Sequence, residues 1–125
     1  MALAHGDRSP VVVGVGQRLQ KDVDPREALD PMALMEAATR AAFEDARLDA
    51  AQIAGLDRVI VPSVFGAHYS NEARLLAERL GAAGATPVAL GVGGNGPQKA
   101  LNQAARDVAA GRARFVVLAG AEALD

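Results

Sequence analysis

The sequence predicts an α/β fold with one parallel four-stranded sheet and helices on both of its faces. Two observations support this prediction. Four short β-branched runs are continuously apolar rather than alternating, which is typical of strands buried on both faces. Three longer segments with helical periodicity lie between them, and this β-α-β-α-β-α-β order is typical of right-handed crossovers in a parallel sheet. Residues 1–125 are predicted to form a single domain.

The first strand is predicted at residues 11–16 (VVVGVG), and the first helix begins near Pro31. A polar stretch between them, interrupted by Pro25, predicts a surface loop. Asp30 is suited to cap the helix, because Pro31 then takes the first helical position. The helix face expected to pack on the sheet carries Leu34, Ala38, Ala41 and Ala42.

The second, third and fourth strands are predicted at residues 57–63, 86–92 and 114–122. Pro62 stops the second of them. The helix that follows it is expected to start at about Asn71 and to end at Gly81.

The third helix is predicted at residues 95–110, ended by Gly111. Asn95 is a favourable N-cap and Gln98 completes a capping-box pattern. Pro97 falls in the first turn, where the N–H groups have no intrahelical partner. Four polar residues are expected to face solvent: Lys99, Asn102, Gln103 and Arg106. Four apolar residues are expected to face inward: Leu101, Ala104, Ala105 and Val108.

Composition excludes several classes of function. The net charge is −2 and the pI is about 5.6, so no global field favours nucleic acid or an anionic membrane. The absence of cysteine removes disulfides, thiolate metal sites and a cysteine nucleophile. His5 and His68 are far apart in sequence, so no metal site is predicted. No apolar run approaches the ~20 residues that span a bilayer, and the N-terminus lacks signal-peptide features, so a cytoplasmic location is expected.

The stretch GVGGNG, residues 91–96, is the main candidate site. It lies between a predicted strand and a predicted helix, so the positive end of the helix dipole and its N–H groups would face the carboxyl edge of the sheet. Ligands of open α/β sheets bind at this edge. Three interpretations are open: a site for an anion or a polarised thioester carbonyl, a structural turn, or a dinucleotide-binding loop built on Gly91, Gly93 and Gly96.

The dinucleotide interpretation meets two difficulties. The loop follows the third predicted strand rather than the first, which normally carries the fingerprint. Glu122 would have to be the ribose-binding acid, and it lies beyond the ~20-residue spacing that the fingerprint requires. A dinucleotide-binding domain is therefore the second alternative.

Several stretches, in this order, resemble the N-terminal part of the thiolase superfamily, and most of all acetyl-CoA acetyltransferases and sterol-carrier-protein-type thiolases. They are VVVGVG, DRVIVPS, LAERLG, PVALGVGGNGPQKAL and AAGRARFVVLAGAEAL. The last is the most specific, with Ala-Gly-Arg before an apolar strand and Gly-x-Glu after it. The resemblance implies that residues 1–125 are the first portion of such an enzyme, incomplete relative to a full thiolase. It also implies the sheet order 3-2-1-4, in the numbering of the predicted strands.

The resemblance further implies acyl-transfer chemistry. A cysteine at the N-terminus of the third helix would take the acyl group from coenzyme A as a thioester, assisted by a histidine and a second cysteine of a later half. Gly94 occupies the position of that cysteine here, with Asn95 beside it. Covalent thiolase catalysis is therefore unsupported in this chain, and no catalytic base is identified. The expected function is binding of an acyl-CoA thioester at Gly93, Gly94, Asn95 and Gly96, with no cofactor besides this substrate.

Four further residues are considered for the site. His68 and Tyr69, after the second strand, are candidates for a pocket wall or a subunit contact, an exposed loop pair being the simpler interpretation. Glu122 could orient a buried network, although a strand-end glutamate is more often structural. Ser63 lacks the G-x-S-x-G surroundings of a hydrolase nucleophile.

The expected partners follow from the same resemblance. The third predicted strand would be an edge of the sheet, and in thiolase-like dimers that edge pairs with its twin across a two-fold axis. A homodimer is expected, or association with a chain that carries the missing half. The first alternative function is a non-enzymatic dimerisation or scaffold module.

Overall fold

A computed structural model describes residues 9–21, 24, 26–62, 71–90 and 95–121 of the chain. Its three strands, β1 (Arg58–Val61), β2 (Thr86–Ala89) and β3 (Val116–Leu118), form one parallel sheet in the order β2-β1-β3. The helices are α1 (Pro31–Ala46), α2 (Ala50–Ala54), α3 (Glu72–Leu80) and α4 (Gly96–Ala109). The predicted parallel α/β architecture is thus confirmed, with three strands in the described residues instead of four.

The two faces of the sheet are covered by different helices. Val59 and Val61 of β1 belong to the main core, where they pack with side chains of α1 and α3. Arg58 and Ile60 alternate with them and therefore point to the other face, where Arg58 pairs with Asp107 of α4. Helices thus lie on both faces, as predicted.

The predicted first strand, residues 11–16, is not part of the sheet. Its valines remain exposed, Val11 by 75% and Val15 by 69%. The segment lies instead against α1, where a Cβ added at Gly14 or Gly16 would overlap main-chain atoms of that helix. The Val15 N–H also donates to Asp45 Oδ2 at 2.8 Å. The prediction was wrong because it considered the apolar pattern alone, whereas the two glycines allow the segment to approach the α1 backbone closely.

The sheet order implied by the resemblance is corrected accordingly. With residues 11–16 outside the sheet, β1 pairs directly with β3, with Arg58 opposite Val116 and Ile60 opposite Leu118. In the numbering of the predicted strands the order is 3-2-4 rather than 3-2-1-4. Among the described strands β2 lies at the edge, as expected, and Pro87 within it suits an edge because proline lacks an N–H for a second neighbour.

The helix termini agree with the sequence signals in most places. Asp30 caps α1 by accepting the Ala33 N–H at 2.8 Å, and Asn71 caps α3 in the same way through Arg74. Gly81 ends α3 in the left-handed conformation, with φ of 80°. The short helix α2 was not predicted; a capping box between Asp49 and Gln52 starts it.

The buried face of α1 differs from the predicted one. Leu34 is buried as expected, but Ala38, Ala41 and Ala42 are only half-buried. The larger side chains define the packing face instead: Met32, Met35, Thr39 and Phe43. Their greater apolar area outweighs that of the alanines, because the hydrophobic free energy scales with the area removed from water.

The inward face of α4 is also corrected. Ala100 and Asp107 are buried, whereas Leu101 is 46% exposed and Ala104, Ala105 and Val108 are only half-buried. The predicted inward residues line a cleft of about 970 Å³ beside β3, opposite residues 11–16 and α1. These residues extend beyond β3, because the described part of the chain has no fourth strand on which they could pack.

Within the described residues, no helix has the length and apolar character needed to cross a membrane.

Candidate active site at the start of α4

The candidate site lies at the carboxyl edge of the sheet. There Pro62 follows the end of β1, α4 begins at Gly96, and the chain leaves β3 towards Gly120. Two further main-chain hydrogen bonds extend the sheet towards this edge: Leu90 N–H to Val61 O at 2.9 Å and Ala119 N–H to Ile60 O at 3.0 Å. The carboxyl ends of the parallel strands therefore lie at the same edge of the sheet as the start of α4.

Pro62 lies beside both of the neighbouring segments. A Cβ at Gly96 would lie 4.0 Å from Pro62 Cβ, and a Cβ at Gly120 would lie 3.9 Å from Pro62 Cδ. Pro62 is thus flanked by the start of α4 and by the end of β3, and Gly96 is buried.

The N-terminus of α4 lacks the side-chain cap that the sequence predicted. Asn95 makes no capping hydrogen bond, although its main-chain oxygen accepts the Lys99 N–H at 3.0 Å. The Gln98 amide donates to Asn102 at 3.0 Å instead of reaching back to Asn95. The capping-box prediction was wrong because Asn95, with φ of −99° and ψ of 10°, is not in the extended conformation of an N-cap. Its side chain therefore leaves the first-turn N–H groups to other acceptors, at the positive end of the helix dipole.

Only part of the predicted site can be placed. Asn95 is exposed at the sheet edge and Gly96 is buried against Pro62. The other candidates lie outside the described residues: Gly91, Gly93, Gly94, Ser63, His68, Tyr69 and Glu122. Among the described residues, no group of three or more His, Cys, Asp or Glu side chains could hold a metal ion.

A buried carboxylate anchors the other end of α4. Asp107 is 1% exposed; its Oδ1 accepts from Gln103 and from Arg112 Nε, each at 2.9 Å. Its Oδ2 pairs with the guanidinium of Arg58 on β1. Burial alone raises the pKa of Asp107, but the hydrogen bonds from Arg112 and Gln103 and the charge of Arg58 outweigh it and hold the pKa below its usual value. α4 is thereby tied to β1 and to the turn that leads into β3.

The same turn explains the Ala-Gly-Arg motif. Gly111 takes φ of 77° and donates its N–H to Val108, while the Arg112 N–H donates to Asp107 O at 2.8 Å. These two bonds form a Schellman motif, which requires a residue that tolerates the left-handed conformation. The Arg112 side chain then reaches the Asp107 carboxylate. In this chain the motif therefore acts to position α4.

A second carboxylate joins the starts of β1 and β3. Asp57 Oδ2 accepts the main-chain N–H groups of Arg114 at 2.7 Å and Phe115 at 3.0 Å. The hydrogen bond from the Arg114 N–H lowers the pKa of Asp57. Partial burial of the carboxylate raises this pKa, but the hydrogen bond from the Phe115 N–H lowers it further, and the net shift is downward.

Asp57 and Asp107 were not predicted from the sequence. For Asp107 a signal was available, because it lies one turn before the glycine that ends the helix and five residues before Arg112. For Asp57 the sequence shows only an acid before a strand, and its partners lie more than fifty residues away.

Comparison with known proteins places this geometry among thiolase-like folds. The structure is similar to a monomeric SCP2-thiolase-like protein type 1 from Mycobacterium smegmatis, with a TM-score of 0.71 and 28% identity over 90% of this chain and 23% of that one. It is also similar to the priming β-ketosynthase of the R1128 polyketide biosynthetic pathway, with a TM-score of 0.66 and 29% identity over 86% of this chain and 31% of that one.

A third similar structure is 3-oxoacyl-[acyl-carrier-protein] synthase III from Aquifex aeolicus VF5, with a TM-score of 0.65 and 22% identity over 85% of this chain and 32% of that one. The chain thus spans between 23% and 32% of the length of these proteins. No protein-family model matches the sequence, and a search of curated proteins finds no match. The resemblance to the thiolase superfamily inferred from the sequence is confirmed.

Proposed function

We propose, from the premise that this chain is thiolase-like, that it is a portion of an acyl-CoA acyltransferase of the acetyl-CoA acetyltransferase type, and that it binds an acyl-CoA thioester. The observation that carries the proposal is the start of α4, which stands at the carboxyl edge of the sheet without a side-chain cap. First-turn N–H groups and the helix dipole would polarise the thioester carbonyl there. Gly93, Gly94, Asn95 and Gly96 would contact this group.

The proposed role is binding and polarisation without a covalent intermediate. With no cysteine in the chain, no side chain at this position can form a thioester with the acyl group. Transfer would therefore need a nucleophile and a base from another part of the assembly. We propose a cytoplasmic location and no resident cofactor, the coenzyme A thioester being a substrate.

Isothermal titration of the protein with acetyl-CoA and with longer acyl-CoAs tests the proposal. We expect saturable binding with a Kd below about 1 mM, corresponding to about −4 kcal/mol. Asn95→Asp should weaken it several-fold, because a carboxylate at the cap would compete for the first-turn N–H groups and repel the coenzyme A phosphates. Asn102→Asp, the same change on the exposed side of α4, should have little effect. Absence of binding at millimolar acyl-CoA would disprove the proposal.

The alignment of Gly94 with the family's nucleophile can be tested directly. We expect Gly94→Cys to create a thiol with a pKa lowered from ~8.5 to below about 7.5, since a helix N-terminus stabilises the thiolate. The measurement is the pH dependence of the iodoacetamide reaction rate. Ala110→Cys, at the opposite end of α4, is the matched control and should show no lowering. Equal pKa values for the two thiols would show that position 94 does not face the helix dipole.

A dimerisation or scaffold role is the second candidate, favoured by the position of β2 at the edge of the sheet. Pairing of two β2 strands, or association with a chain that carries a second half, would cover this edge. The SCP2-thiolase-like neighbour is described as monomeric, so the resemblance does not decide the state of this chain. Sedimentation equilibrium, together with the acyl-CoA titration, distinguishes the acyl-CoA-binding role from the scaffold role. A tight dimer without acyl-CoA affinity would favour the scaffold role.

A further inference from the structure

The buried side of α4 consists of small residues with one exception. Gly96, Ala100 and Asp107 are buried, and their spacing of four and then seven residues places them on the same side of the helix. A helix is held along its axis by side chains that interlock with the neighbouring layer. Glycine and alanine provide little interlocking, so Asp107 is the residue of this row that can fix the axial position of α4.

Asp107 is joined to β1 at the amino edge of the sheet. Within the described ranges, its bond from Arg58 is the one side-chain hydrogen bond between α4 and a strand. The carboxylate is held in one orientation, because it is buried and its Oδ1 accepts from Gln103 and Arg112 as well. The Arg58–Asp107 pair therefore links the strand to the helix at a fixed distance.

The candidate site lies at the other end of the same two elements. Pro62 stands four residues after Arg58 at the end of β1, and Gly96 stands eleven residues before Asp107 at the start of α4. The strand covers about 13 Å over this interval and the helix about 16.5 Å. Because a hydrogen-bonded strand and helix each move as a unit, a change in the length of the link displaces the start of α4 relative to Pro62.

We propose that Asp107 is a positioning residue for the candidate site: its link to Arg58 sets where the start of α4 stands at the carboxyl edge of the sheet, and thereby the affinity for the acyl-CoA thioester. The effect on affinity rests on the proposed acyl-CoA binding, whereas the effect on position does not. A displacement of about 1 Å is sufficient, because the first-turn N–H groups must stay within hydrogen-bond distance of the thioester oxygen.

A designed disulfide measures the position of α4 without any ligand. A Cβ at Gly96 would lie 4.0 Å from Pro62 Cβ, within the range of about 3.5–4.5 Å that a disulfide requires. The chain has no cysteine of its own to compete. In the complete protein with Pro62→Cys and Gly96→Cys, the thiol–disulfide equilibrium in a glutathione buffer gives the effective concentration of the two thiols. Failure of this pair to form a disulfide would show that the start of α4 does not lie beside Pro62, and would overturn the proposal.

Changes in the length of the link are then compared in this background. Asp107→Glu lengthens the link by one methylene group and Arg58→Lys shortens it, so each alone should lower the effective concentration by about fivefold or more. Together they nearly restore the length, and should return the effective concentration to within about twofold of the original. The matched control, Asp57→Glu, makes the same change in the carboxylate that joins the starts of β1 and β3, and should have little effect.

Two results of this comparison would overturn the proposal. If the effects of Asp107→Glu and Arg58→Lys multiply in the double variant, the length of the link is not what matters. If Asp57→Glu lowers the effective concentration as much as Asp107→Glu does, the change reflects a general loss of stability.

Isothermal titration with acetyl-CoA, in chains without the designed cysteines, measures the effect on affinity. Asp107→Glu and Arg58→Lys should each raise the Kd by about threefold or more, and the double variant should bind like the parent. If the parent does not bind acetyl-CoA, the proposed function fails, while the disulfide equilibrium still decides whether Asp107 positions α4. If the parent binds and both single variants bind equally well, the proposed function stands and the positioning role is overturned.

Discussion

At the scale of single residues, Arg47 has an unusual backbone conformation. It lies just after α1 with φ of 58° and ψ of 46°, the one non-glycine residue with positive φ among those the structure describes. The position satisfies helix carbonyls, because Arg47 and Leu48 donate their N–H groups to Glu44 and Phe43. An L-residue pays about 1–2 kcal/mol for the left-handed conformation. Gly81 and Gly111 take the same conformation after their helices without this cost.

We therefore expect Arg47→Gly to stabilise the fold by about 0.5–1 kcal/mol, since the relief of strain exceeds the added entropy of the unfolded chain. Arg47→Val should destabilise it by about 1 kcal/mol, because β-branched side chains tolerate positive φ least. Urea unfolding followed by circular dichroism measures both. A glycine variant less stable than the parent would contradict the assignment of strain to this residue.

At the scale of elements, the packing of residues 11–16 on α1 depends on two glycines. Gly14 and Gly16 approach the main chain of α1 so closely that a methyl group would overlap Ala42 and Ala38. We expect Gly14→Ala and Gly16→Ala each to lower the free energy of unfolding by about 1–3 kcal/mol through overpacking. Gly84→Ala is the matched control, because nothing lies within 4 Å of a Cβ there.

Denaturant midpoints of the three alanine variants, compared at equal m-value, measure the effect. A Gly16→Ala variant as stable as Gly84→Ala would mean that the segment does not pack on α1. This experiment also bears on the sheet, since release of residues 11–16 from α1 would free four valines beside the open side of β3.

The same elements show what the sequence could and could not predict. Helical periodicity and capping residues were sufficient to predict α1, α3 and α4 from the sequence, because helix signals such as Asp30, Asn71 and Gly81 act within one turn. The runs at β1, β2 and β3 were also recognised. Residues 11–16 have the same local pattern, and only contacts distant in sequence decide whether such a run joins the sheet. At the site, the start of α4 was located correctly, but the cap pattern did not predict the backbone conformation of Asn95, which leaves its side chain without a capping hydrogen bond.

At the scale of the whole molecule, two carboxylates connect segments that are distant in the chain. Asp57 holds the start of β3 to the start of β1, and Asp107 holds α4 to β1 and to the turn before β3. Both pKa values are lowered in the folded protein. A group whose pKa is lower in the folded than in the unfolded state contributes stability above its unfolded pKa, here about 3.9, and loses it as the pH falls through the folded pKa.

The fold should therefore lose stability below about pH 4, because protonation removes the acceptors of Arg114, Phe115, Arg58 and Arg112 together. At pH 7 we expect Asp107→Asn to cost about 2–3 kcal/mol, since it leaves two arginines without their counter-charge, and Asp57→Asn about 1–2 kcal/mol. Both losses should shrink as the pH falls, because the parent protein then loses the same charges. The free energy of unfolding in urea at pH 7, 5, 4 and 3 measures this, with the exposed Glu44→Gln as control. If the free energies of unfolding of the parent and the aspartate variants fall in parallel with pH, the acid sensitivity arises elsewhere. If they converge as the pH falls, the acid sensitivity is assigned to the two carboxylates that position α4 and the candidate site.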